Sequence, residues 1–71
     1  MSNIRRLKKA IIKHSEECGY TLNKSNEPYQ NISRIESMKA HYQQIKTSEN
    51  LDHEMSQSLE VWINNLARKF T

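Results

Sequence analysis

A chain of 71 residues with 35% hydrophobic content has room for one domain, and at that size folding buries only about 60% of the surface of the unfolded chain. The formal charge of +3 is local: Arg5, Arg6, Lys8, Lys9 and Lys13 precede the first acid, while residues 14–71 carry six cations against eight carboxylates. Cys18 is the only cysteine, which excludes an internal disulfide and predicts a reducing, cytoplasmic setting.

No stretch approaches the roughly 20 apolar residues of a membrane span, so no membrane partner is expected. The segment Ile4 to Ile12 is too interrupted by charge to serve as a secretory h-region. One Gly, one Pro and the absence of sustained two-residue alternation leave little from which to build a sheet. The expected fold class is all-α, a single helical domain over residues 1–71. Helices near 2–18, 27–46 and 52–70 pack either as a small antiparallel three-helix bundle or as an elongated helical hairpin that dimerises.

In the first helix, Ser2 is placed to cap, and Ile4, Leu7, Ala10, Ile11, His14 and Cys18 recur at three- and four-residue spacings. At about 100° per residue, Arg5, Arg6, Lys9 and Lys13 share the opposite face, with Ile12 among them. Ile12 is therefore either buried by a second neighbour or a contact residue for a partner. Gly19 can take the left-handed conformation that stops the helix, with Tyr20 folding back on the last turn.

A polar loop over residues 21–30 leads to Pro28, which suits a first helical turn, and Asn26 is the expected cap. Tyr29, Ile32, Ile35, Met38, Tyr42 and Ile45 then form a narrow stripe close to a 3.5-residue period. In the third helix, Asp52 or Asn50 is placed to cap, Glu54 stands near the start, and Arg68 and Lys69 stand at the end. Met55, Leu59, Trp62, Ile63, Leu66 and Phe70 make its apolar face, the widest in the chain.

The charges of the two terminal helices differ in sense. The third follows the helix dipole, whereas the first begins with cations and ends near Glu16 and Glu17. Each cation near a helix start costs about 0.3 to 1 kcal/mol before screening, so stability does not account for the cluster. A one-ended basic face reads as a docking surface. Its residues are Arg5, Arg6, Lys9, Ile12 and Lys13.

Chemistry is poorly represented. A single glycine rules out Gly-rich phosphate loops, and small bundles rarely enclose the roughly 300 Å³ or more of a ligand pocket. His14 and Cys18 lie four apart but lack a second ligand pair, and His41 and His53 read as isolated surface histidines. Leu22 to Asn31 lacks the apolar positions of a helix-turn-helix. The expectation is a small non-enzymatic cytoplasmic binding or regulatory protein, an adaptor or inhibitor of a larger protein, with no metal and no cofactor. Its partner would be a protein with an acidic surface. The alternative is a nucleic-acid-binding regulator that meets DNA or RNA phosphates with the same face, and a homodimer is a further alternative for a chain short of core.

Overall fold

A computed structural model describes residues 3–16 and 21–71, which hold three helices: α1, Asn3–Ser15; α2, Pro28–Ser48; and α3, His53–Phe70. Every pair of helices is in contact, which is the bundle rather than the open hairpin. Arg6 at the start of α1 meets Glu49 just beyond α2, and the hydroxyl of Tyr42 in α2 reaches the Ser56 carbonyl in α3. Asn31 at the start of α2 meets Phe70 at the end of α3, so each helix runs opposite to the one before it. The extents of 35 × 21 × 21 Å match the roughly 31 Å of a 21-residue helix. Among the described residues no helix is long and apolar enough to cross a membrane.

The helix ends follow local chemistry. Asp52 is the N-cap of α3, its carboxylate accepting from the Met55 backbone N–H at 2.8 Å. The cap of α2 is Glu27 rather than Asn26; its N–H donates to Gln30 Oε1 at 2.9 Å, one arm of a capping box. Asn26 holds the connector instead, donating to the Thr21 carbonyl and to Asn31 Oδ1. After α2, Asn50 takes φ of 50°, a left-handed conformation that asparagine tolerates, and the chain turns into α3. The expected roles of Ser2, Cys18, Gly19 and Tyr20 lie outside the described residues.

Leu7, Ile11, Ile35, Met38, Tyr42, Ile45, Leu59 and Ile63 form the core. Full burial of an aliphatic side chain contributes about 1.5 to 3 kcal/mol. Met55, Trp62 and Leu66 are partly buried against this cluster, as the wide face of α3 implied.

The stripe predicted for α2 departs from the structure in its first turns. Tyr29 is 62% and Ile32 48% exposed, while Asn31 and Arg34 are buried. Successive steps of three residues lag a full turn by about 60° each, so the run 35, 32, 29 winds off the face that Met38, Tyr42 and Ile45 hold. Asn31 occupies the vacated position with all its capacity used. Its Oδ1 accepts from Asn23 N–H and Asn26 Nδ2, and its Nδ2 donates to the carbonyls of Asn23 and Phe70.

A similar shift occurs in α1. Ser15, four residues after Ile11, is fully buried and donates to the Ile12 carbonyl at 2.9 Å. His14, expected on the apolar stripe, is exposed. Its ring stacks on His41 with centroids 4.0 Å apart and planes 21° from parallel, so His41 is not isolated either. The pair bridges α1 and α2.

Candidate docking surface

The helix positions settle what each basic residue of α1 is able to do. Arg5, Lys9 and Lys13 are exposed and make no ion pair among the described residues. Arg6 is different: its Nη2 lies 2.8 Å from Glu49 Oε1, joining the start of α1 to the end of α2. Lys8 turns toward α3, with Nζ 5.3 Å from the centroid of the Trp62 ring, within cation–π range. The expected set of Arg5, Arg6, Lys9 and Lys13 thus shares a face, while one member is engaged within the fold.

The dipole anomaly is narrower than the sequence implied. Because α1 ends at Ser15, Lys13 falls in its last turn, where a cation is favoured. The misplaced charges are Arg5 and Arg6, with no acid in the first turn to offset them. The Glu49 carboxylate relieves Arg6. Arg5 has no such relief.

Ile12 is 40% exposed, so it is not buried on two sides. It borders a groove of about 290 Å³ whose other lining residues include Leu22, Arg34, Met38, Trp62 and Leu66. No protein-family model, curated protein or solved structure matches this chain. The case for function therefore rests on the geometry of this surface.

Arg34 is the residue of that groove that sequence reasoning missed. It is 3% exposed, and its Nη2 donates to the Ile12 carbonyl at 3.0 Å and lies 3.9 Å from Glu16 Oε1. The last four carbonyls of a helix lack intrahelical partners, and Ile12 supplies one of them. A guanidinium there satisfies the carbonyl and meets the negative end of the dipole. Nothing in the local sequence signals this, since Arg34 falls within a run that reads as an ordinary amphipathic helix. Trp62 and Leu66 were legible as apolar, and only the packing of α1 against α3 shows that they also wall a groove.

A second groove, of about 170 Å³, lies between α2 and α3 and is lined by Lys39, Tyr42, Gln43, Glu60, Ile63 and Asn64. Burial pushes the Tyr42 phenol above its ordinary 10.0, the Glu60 carboxylate pushes the same way, and contact with Ser56 opposes them. That phenol is held protonated as a donor to the Ser56 carbonyl at 3.1 Å. The α2–α3 groove is well below the roughly 300 to 1,000 Å³ typical of small-molecule pockets, and the groove beside Ile12 is at the lower edge of that range. Among the described residues no three His, Cys, Asp or Glu side chains converge as metal ligands.

Proposed function

We propose that this chain is a small, non-enzymatic cytoplasmic binding protein, an adaptor or inhibitor that docks onto an acidic protein surface through the outer face of α1. Arg5, Lys9 and Lys13 supply the charge and Ile12 the apolar contact. The observation that carries the reading is that these three cations are exposed and unpaired among the described residues, whereas their neighbours Arg6 and Lys8 are engaged within the fold. Ile12 beside them supports a protein partner, because contact with phosphates is electrostatic and does not itself call for an apolar side chain. The lone Cys18 supports the cytoplasmic setting.

Affinity capture from host extract, with and without nuclease, tests this against the nucleic-acid alternative. The wild-type protein is expected to retain a protein partner after nuclease treatment. The variant Arg5→Glu/Lys9→Glu/Lys13→Glu is expected to lose it while keeping its helical circular dichroism. Retention of every partner by that variant would sink the docking face. Loss of all captured material on nuclease treatment would instead establish the phosphate-binding alternative.

A further inference from the structure

The groove beside Ile12 extends the basic face into something more selective. Among the described residues its walls come from all three helices and the connector before α2, and its apolar lining is Ile12, Leu22, Met38, Trp62 and Leu66. Lys8, one turn before Ile12, spans to the Trp62 ring. Arg5 and Lys9, seven and three residues before Ile12, fall on the same side of α1 by helical spacing. Among the described residues the only carboxylate lining the groove is Glu16, which already faces Arg34 at 3.9 Å. An apolar slot rimmed by cations selects an occupant that is apolar on one side and anionic around it.

The kind of segment follows from the fold. The described residues contain no strand, so there is no sheet edge onto which an extended peptide could add. A groove between two packed helices instead accepts the side-chain ridge of a third. At about 290 Å³ it has room for a few side chains of such a ridge. We propose that it receives an acidic amphipathic helix of the partner protein, with apolar anchors against Ile12, Trp62 and Leu66 and carboxylates meeting Arg5 and Lys9. This rests on the reading that α1 docks a protein, and it names the partner's chemistry.

Trp62 is the only tryptophan, so its fluorescence reports from the groove wall itself. The probe is a synthetic amphipathic peptide of about 18 residues, five helical turns, with leucines at three- and four-residue spacings and glutamates on its remaining faces. A lysine-for-glutamate counterpart serves as the control. The acidic peptide is expected to give a saturable change in Trp62 emission, with the lysine peptide at least about tenfold weaker. Ile12→Ser, at a partly exposed position, and Leu22→Ser in the connector are each expected to raise Kd about tenfold with unchanged circular dichroism. Arg5→Glu/Lys9→Glu is expected to weaken binding and remove most of its salt dependence.

Absence of a saturable signal, equal binding of the lysine peptide, or indifference to both serine variants would overturn the proposal. So would sedimentation showing that the wild type self-associates through this groove, for instance against the Glu54 to Val61 surface of a second copy. If the charge-reversed protein loses its captured partner while the serine variants keep it, the basic face stands and the groove's occupant is wrong. If neither set of variants loses the partner, the docking reading itself fails.

Discussion

Tyr42 and Ser56 show how much a single hydroxyl depends on where its partner lies. The Tyr42 hydroxyl is buried and donates across helices to the Ser56 carbonyl, while the buried Ser56 Oγ has no hydrogen-bond partner among the described residues. Tyr42→Phe is expected to cost about 1 kcal/mol, whereas Ser56→Ala is expected to be neutral or stabilising by a similar amount. Urea unfolding of both variants checks the contrast, and equal losses would contradict it. The sign of the pH effect follows from the raised phenol. Its contribution is complete below the unfolded value of 10.0 and is lost as pH rises from there through the higher folded value. The wild type should therefore lose stability in that alkaline window, and Tyr42→Phe should lose less.

Within α1, the helix dipole and the proposed docking make opposite demands on Arg5. A cation in the first turn opposes the dipole, and Arg5 has no acid beside it in that turn. Arg5→Glu is therefore expected to stabilise the protein by about 0.3 to 1 kcal/mol at low salt while weakening partner binding. Denaturant midpoints at two ionic strengths provide the check, and destabilisation by Arg5→Glu would remove the conflict. The limits of α2 and α3 lie within about two residues of those expected, because Pro28, the Asp52 cap and the apolar spacing of α3 are local signals; the expected limits of the first helix, 2 and 18, lie outside the described residues. The face of α2 was not fully readable. A run spaced by three residues looks like a stripe until the accumulated rotation is counted, and Asn31 and Arg34 are buried for what they bind on α3, on the connector and on α1. The α1 face was legible as charge, but which cations stay free depended on Glu49 and Trp62, 43 and 54 positions away.

At the scale of the whole molecule, three helices each packed on the next in sequence keep most contacts local. Bundles of this type fold in microseconds to milliseconds, and a temperature jump monitored by Trp62 should show a single relaxation in that range. A slower or biphasic response would point to a step beyond bundle assembly. The charge distribution is equally global in effect, because cations gathered on one helix give the molecule a preferred approach to an anionic partner and raise its association rate at low salt.

The bond from buried Arg34 to the Ile12 carbonyl has a further consequence at this scale. It fastens the backbone of the contact residue to α2 at the point where the α1 helix is about to end, where a free terminus would fray. In the proposed docking, Ile12 would meet its partner with its backbone already held in place. In that docking, part of the ordering entropy that weakens complexes formed by mobile segments would be met during folding, and the lifetime of the complex would depend on a guanidinium buried in α2.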